Sequence, residues 1–251
     1  MHLRDLAWPD VRDLSRDMVV LIPTGSLEQH GPHLPLFTDS ILATAVAEAV
    51  EARLSEEVLL TPTLWLGAST HHLAFPGTLS NSFEAYMGAI DAVIESLIPH
   101  GFHRFYVLNG HGGNTDANSM VLRNLKAKYP ELTLGHSGYF AFVPPDAYAV
   151  LEGPIKGIRH ACEAEASMIL HLRPELVRTD RLRDDGMEPD PPIRGLVLHF
   201  DEETEEGSYG YATLATAGKG KVLFEAAVEG VASELAALAE GFILRSLPER
   251  S

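Results

Sequence analysis

The sequence predicts an α/β protein in which helices cover both faces of a mostly parallel sheet, within a single domain spanning residues 1–251. Three observations predict it. Unbroken apolar runs alternate with amphipathic segments, the pattern of buried parallel strands joined by crossover helices. A chain of 251 residues can bury one generous core, and α/β folds of this length are commonly one domain. Finally, clusters of histidine and carboxylate follow successive apolar runs, where open parallel sheets carry their ligand sites.

The elements read in order. "MVVLIPTG" (Met18 to Gly25) is a buried strand, because β-branched and apolar residues run on until turn residues stop them. "SILATAVAEAVEARL" (Ser40 to Leu54) is a helix with Asp39 or Ser40 available as its cap. "VLLTPTLWLG" (Val58 to Gly67) is a second strand, with a bulge or strand end at Pro62. Residues Ser82 to Pro99 are helical, "RFYVLNG" (Arg104 to Gly110) is a third strand, and a helix over Thr115 to Lys128 precedes a fourth strand in "LTLGHSG". "CEAEASMILHL" (Cys162 to Leu172) is helical. The Pro- and Asp-rich stretch from Arg181 to Gly195 is a surface excursion. Phe224, Val228, Val231, Leu235, Leu238 and Phe242 then mark one face of a long closing helix. No internal repeat is present.

Composition narrows the function classes. Hydrophobic content of 45% with 22% charged residues excludes a disordered chain. The net charge of −16 repels phosphate backbones and anionic lipid, so neither nucleic acid nor membrane is an expected partner. A bound metal can reverse that sign locally, so an anionic small substrate stays open. One cysteine permits no internal disulfide and fits a reducing compartment. The N-terminal stretch lacks a signal-peptide core, and no apolar run approaches the roughly 20 residues needed to cross a bilayer. A cytoplasmic protein is expected.

The first polar cluster lies in "TGSLEQHGPHLPLFTDS" (Thr24 to Ser40), and "STHHLAFPGT" and "NGHGGN" follow the second and third strands. Glu28, His30, Asp39 and His111 offer two imidazoles and two carboxylates, ligands that Zn²⁺, Mn²⁺ and Fe²⁺ accept. A shared carboxylate would hold two cations roughly 3.5–4 Å apart. His33 is open as a ligand, a donor to one, or a structural contact. Asn109 and Asn114 are placed to orient ligands or the chain turn. Other features read as structure. His136 and His171 are satisfied polar residues, Cys162 is a small buried thiol, and "GKGK" (Gly218 to Lys221) is a turn before the last helix without P-loop spacing. Ser26 has no nucleophile elbow around it.

"GSLEQHGPHLPLFTD", "HHLAFPGT", "NGHGGN" and "RHACEAEAS" resemble, in order and placement, the motifs of the creatininase (creatinine amidohydrolase) family, over about Leu21 to His171. The resemblance implies a three-layer α/β/α sandwich, two divalent metal ions per chain (Zn, Mn or Fe) and a homohexameric assembly. It makes Glu28 and His111 ligands of one metal, His30 a ligand of the other, Asp39 the bridging carboxylate and His160 the catalytic histidine. Creatininase proper supplies a glutamate two residues after the second ligand histidine, where this chain has Gly113. Glu163 is the expected replacement. Glu165, two residues on, points about 200° away around a helix, so it is expected to orient His160 or a ligand. Tyr139 and Lys156 stand near or at the places where creatininase frames its substrate with tryptophans, so a member other than creatininase is implied.

The expected reaction is metal-dependent hydrolysis of a non-peptide C–N bond in a small cyclic amide or formamide. A peptidase trimming a short peptide, and an inactive metal- or ligand-binding member of the fold, are the alternatives.

Overall fold

The computed structural model describes residues 1–186 and 195–241. A short helix, α1 (Trp8–Asp13), precedes the first strand, β1 (Val19–Thr24), which is buried along its whole length. There follow α2 (Thr38–Arg53), β2 (Val58–Leu60), α3 (Phe83–Leu97), β3 (Arg104–Asn109), α4 (Thr115–Lys128) and β4 (Thr133–Gly138). The second half holds α5 (Pro145–Tyr148), α6 (Glu163–Leu172), β5 (Asp184–Asp185), α7 (Phe200–Glu203), β6 (Gly210–Tyr211) and α8 (Ala217–Ala239). The main sheet is parallel, with order β2–β1–β3–β4. β5 and β6 form a separate antiparallel pair.

Side-chain alternation along β1 separates two cores. Val19 and Leu21 face α2, α6 and α8, where they meet Leu42, Val46, Met168, Val228 and Val231. Val20 and Ile22 face α3 and α4, against Tyr86, Ile90, Ile94 and Val121. A central strand apolar at every position is what such a three-layer sandwich requires. Leaving β1, the chain goes to one side for β2 and returns to the other for β3. Strand order therefore reverses between β1 and β3, and that switch point opens a crevice at their carboxyl ends.

Several expectations change in detail. The second strand ends at Leu60 rather than running to Gly67, because Pro62 has no N–H to extend the ladder; one bridge, Leu64 to Thr24, resumes the pairing. Neither Asp39 nor Ser40 caps α2, which starts two residues earlier than expected, at Thr38 behind Phe37. "GKGK" is the first turn of α8, capped by Thr216, rather than a turn before it. Phe242, and most of the stretch from Arg181 to Gly195, lie outside the described residues. No described helix is long and apolar enough to cross a membrane.

Two glycines offer a direct test of the packing. α6 and α8 cross at Gly220, where a Cβ would overlap Ser167 O and approach Met168 N to 2.8 Å. Gly88 in α3 has nothing within 4 Å of that position. Gly220→Ala should destabilise by about 1–3 kcal/mol or more through overpacking, whereas Gly88→Ala should stabilise by about 0.5–1 kcal/mol. Thermal or urea denaturation of the two variants decides it; equal effects would remove the close crossing as a constraint.

Candidate metal centre

The loop leaving β1 and the start of α2 bring Glu28, His30 and Asp39 together, and the turn leaving β3 adds His111. All four side chains are buried. The β3 turn is built by the asparagines of "NGHGGN". Asn109 Oδ1 accepts from the His111 N–H at 3.1 Å, and its Nδ2 donates to His111 O at 2.5 Å. Asn114 ties the same turn to β1 and to the stretch after β2, donating to Gly25 O at 3.0 Å and accepting from Ala68 N at 2.9 Å. Both asparagines hold the chain, and the histidine is what they present.

Asp39 faces both ways. Its Oδ1 lies 3.0 Å from His30 Nε2 and its Oδ2 lies 3.1 Å from His111 Nδ1. The far nitrogens of both histidines are committed to carbonyls: His30 Nδ1 donates to Glu28 O at 3.1 Å, and His111 Nε2 to Ala68 O at 3.1 Å. Such contacts set ring orientation and leave the facing nitrogen as the donor atom for a metal. Glu28 Oε1 lies 3.2 Å from His111 Nδ1, yet both Glu28 oxygens are buried without a well-formed hydrogen bond. Buried carboxylate oxygens left open in this way are what a cation satisfies.

Among the described residues, three groups of side chains converge closely enough to share an ion: Glu28 with Asp39 and His111, His30 with His160 and Glu165, and Glu28 with His72 and His160. The donor set, imidazole and carboxylate, suits zinc, manganese or iron. The residues present therefore fit a divalent metal centre.

Glu165, not Glu163, reaches this cluster. Its Oε2 lies 4.0 Å from His30 Nε2 and accepts from the Ala161 N–H at 2.5 Å. Glu163, the expected ligand, is turned away and fully engaged: Lys219 Nζ lies 2.6 Å from its Oε1, and the N–H groups of Glu152 and Gly153 donate to it at 2.8 and 2.9 Å. The two glutamates point apart on α6, Glu165 toward the cluster and Glu163 toward Lys219, a buried lysine from "GKGK". At position 113 a Cβ would collide with His111 Nε2 and lie 2.7 Å from both Ala68 O and His71 Cε1. No side chain fits there, so a glutamate at 113 is sterically excluded in this backbone.

Electrostatics follow from burying three carboxylates together. Burial opposes charge on His30, but Asp39, Glu165 and Glu28 outweigh it and raise its pKa to about 10. His111 is raised likewise: burial works against it, and Glu28 and Asp39 prevail. For Glu165, burial and the neighbouring Asp39 and Glu28 charges push the carboxyl up to about 8 against the pull of His30 and the Ala161 N–H. In the metal-free chain, imidazolium protons on His30 and His111 thus neutralise Glu28 and Asp39.

His160 and Gln29 complete the wall. Gln29 Oε1 accepts from the Gly31 N–H at 2.9 Å, which fixes its amide with Nε2 donating to His72 Nδ1 at 2.7 Å. His160 Nε2 lies 2.8 Å from Gln29 O, an atom that can only accept, and 3.1 Å from Gln29 Nε2; the shorter contact, to the carbonyl, favours the proton on Nε2. His160 Nδ1 is then proton-free and lies 3.5 Å from Glu28 Oε1. Burial, with His30 and His72 nearby, holds the His160 pKa well below the ordinary histidine value. His33 is a structural contact, donating to Ala161 O at 2.9 Å. Ala161, next to His160, has φ +50°, a strained conformation for a non-glycine residue. It is held from both sides by His33 and Glu165.

Sequence reasoning did not single out His72, Gln29 or Phe200. His72 Nε2 lies 3.2 Å from Glu28 Oε1, and burial, only partly offset by Glu28, lowers its pKa to about 3. "STHHLAFPGT" signalled the histidine pair without saying which ring turns inward. Phe200, in α7, packs 4.1 Å from the His72 ring and 4.6 Å from the His160 ring; no sequence signal marked it. Together with Phe140, Ile158 and Arg159 it lines a cavity of about 270 Å³ above the cluster. A larger groove of about 720 Å³ between α4, β4 and α8 is lined by none of the cluster residues.

Comparison with known proteins shows the family. The family model described as "Creatininase: Creatinine amidohydrolase" matches residues 4–235. The chain is 36% identical over 229 residues to a mycofactocin precursor peptide peptidase of Mycobacterium tuberculosis (strain ATCC 25618 / H37Rv), covering 84% of this chain and 81% of that protein. It is 29% identical over 248 residues to a creatinine amidohydrolase of Pseudomonas putida, covering 92% and 94%. Two solved creatininase structures, a zinc–zinc mutant form and a manganese form, each superimpose with a TM-score of 0.81 at 29% identity, covering 93% of this chain and 96% of theirs. With the family model matched over residues 4–235 and the structural likeness running along 93% of its length, this chain belongs to the creatininase family.

Proposed function

We propose that the chain hydrolyses an amide C–N bond near the end of a short peptide, using two divalent cations (Zn, Mn or Fe) as cofactors. The observation that carries the reading is the two-sided geometry of Asp39, with one oxygen toward His30 and the other toward His111. Glu28, His111 and Asp39 would hold one ion; His30, Glu165 and Asp39 would hold the other. Bound there, the cations would acidify water and polarise the substrate carbonyl.

The chain's own residues supply the rest. His160, proton-free at Nδ1 and facing the cluster, accepts a proton as the C–O bond forms and returns it to nitrogen as the C–N bond breaks. General acid–base help of this kind is worth about 10²–10⁴-fold. Glu165 does double duty, with its second contact bracing the Ala161 peptide beside His160. Phe140, Ile158 and Phe200 keep the cavity wall apolar, which strengthens every electrostatic contact within it.

The peptide substrate is supported by the 36% identity to peptide peptidases. A small non-peptide amide is the second reading, supported by the full-length likeness to a creatinine amidohydrolase. Creatinine itself is disfavoured, because neither Trp8 nor Trp65 lines the cavity. Tyr139 is buried in the core and Lys156 donates to Leu151 O. A homo-oligomer, hexameric by the family resemblance, and a cytoplasmic setting complete the proposal.

Removing metal with EDTA should abolish turnover of a panel of short peptides, formamides, cyclic ureides and creatinine, and Zn²⁺, Mn²⁺ or Fe²⁺ should restore it. Full activity in protein verified metal-free by elemental analysis would sink the reading, and one metal with no turnover on any amide would leave a binding protein. Glu165→Gln should lower occupancy at one of the two metal positions, whereas Glu163→Gln should retain both metals and lose stability through its partner Lys219. The reverse pattern would restore Glu163 as the ligand. Because His30 and His111 are protonated in the metal-free chain and must be neutral to bind, metal uptake at pH 7 should release protons. Affinity should therefore rise with pH below about 10, the value set by His30. Calorimetry in buffers of different ionisation enthalpy measures it; no proton release would contradict the charge assignment.

A further inference from the structure

One charged group in the cavity wall plays no part in the cluster. Arg159 precedes His160, and its main chain is pinned on both sides: its N–H donates to Cys162 Sγ at 3.2 Å, and His160 O accepts from Tyr209 N at 2.7 Å. Its exposed side chain lines the same cavity as Glu28, Asp39 and Glu165. The guanidinium lies 6.0 Å from the centre of the Tyr209 ring, at the outer limit of a cation–π contact. Among the described residues it has no carboxylate within ion-pair distance.

Acidic side chains outnumber basic ones 35 to 19, and Arg173 and Arg183 pair with Glu175 at 2.6 Å and Glu206 at 2.7 Å, while exposed Arg178 donates to Leu176 O instead; Arg159 differs in lining the cavity. An arginine held beside the cluster, and without an acid among the described residues, has its fork available for one. The cavity floor offers an anion no free cationic side chain, because His30 and His111 are matched to Glu28 and Asp39. An anionic group entering the cavity therefore has Arg159 as its protein counter-charge, with the apolar walls of Phe140, Ile158 and Phe200 between.

We propose that Arg159 anchors a carboxylate of the substrate, so that the physiological substrate is a carboxylate-bearing amide with an apolar group beside the scissile bond. The proposal rests on the amidohydrolase reading above and specifies its substrate class. A cavity of about 270 Å³ is at the small end of ligand pockets, roughly 300–1,000 Å³. It suits a small amide or the last residues of a chain. The carboxylate belongs either to a chain terminus or to an acidic side chain, and a planar guanidinium reads both alike.

The test uses the metal-loaded full chain and three probes: acetyl-alanyl-phenylalanine with a free carboxyl, its C-terminal amide, and acetyl-glutamyl-phenylalanine amide. Binding is measured by calorimetry and turnover by product analysis. The native chain should prefer one of the two carboxylate probes over the neutral amide by about 10–100-fold, the range of a charge-assisted pair. Whichever probe is preferred identifies the source of the carboxylate. In Arg159→Gln the ratio should fall to within about twofold, and Arg159→Lys should retain part of it, with metal content unchanged in both.

No preference in the native chain overturns the proposal. So does a preference that survives in Arg159→Gln and disappears only on metal removal, since the carboxylate would then be bound by the cations. Arg159-dependent binding without turnover of any probe would uphold the anchor while refuting the hydrolase reading. Turnover without carboxylate preference would do the opposite.

Discussion

Three carboxylates buried within reach of one another are the constraint around which this structure is arranged. Glu28, Asp39 and Glu165 are nearly inaccessible to water, and burying unneutralised charge at such density is prohibitive. Glu28 and Asp39 take their counter-charges from His30 and His111, which burial alone would keep neutral but which the carboxylates hold protonated, while burial and those neighbours push the Glu165 carboxyl up to about 8. Divalent cations are a denser solution to the same problem. The order β2–β1–β3–β4 sets where this happens, because only between β1 and β3 does the chain leave a crevice at the carboxyl ends of adjacent strands.

The second half of the chain is fitted to that crevice through one buried ion pair. Lys219, in the first turn of α8, reaches Glu163 at the start of α6 and also donates to Leu214 O at 2.6 Å. Glu163 in turn accepts from the N–H groups of Glu152 and Gly153, which fastens the loop leading to His160. With Glu163 so occupied, the opposite side of α6 directs Glu165 toward His30. The lack of space at Gly113 makes that assignment consistent: the β3 turn packs too tightly against Ala68 and His71 for a ligand to arise there. The cluster thus receives its third carboxylate from α6 and not from the β3 turn.

Gln29 links the histidine–carboxylate cluster to His160. Standing between Glu28 and His30 in sequence, it uses its amide to hold His72 and its main-chain oxygen to set the His160 tautomer. The Gly207 backbone packs against that amide so closely that a Cβ there would overlap Gln29 Oε1. Gln29 is thus enclosed by a segment more than 170 positions away in the chain. A proton-free Nδ1 in a dry wall follows from these contacts rather than from any property of histidine alone.

Periodicity and turn chemistry determined by themselves that β1, β3, β4 and the main helices form, because apolar alternation and amphipathic spacing are local properties of the chain. They also determined that Glu28, His30, Asp39 and His111 share a rim, since strand ends in a parallel sheet point one way. Three matters needed the tertiary structure. The choice between Glu163 and Glu165 turned on Lys219, 56 residues distant in sequence, and no spacing rule connects them. The inward turn of His72 rather than His71 depends on Glu28 and Gln29 across the crevice. Phe200 enters the wall from a four-residue helix with no periodic signature. Sequence specifies which groups each element offers; which of them meet is decided by contacts between elements far apart in the chain, and charge burial enforces those contacts.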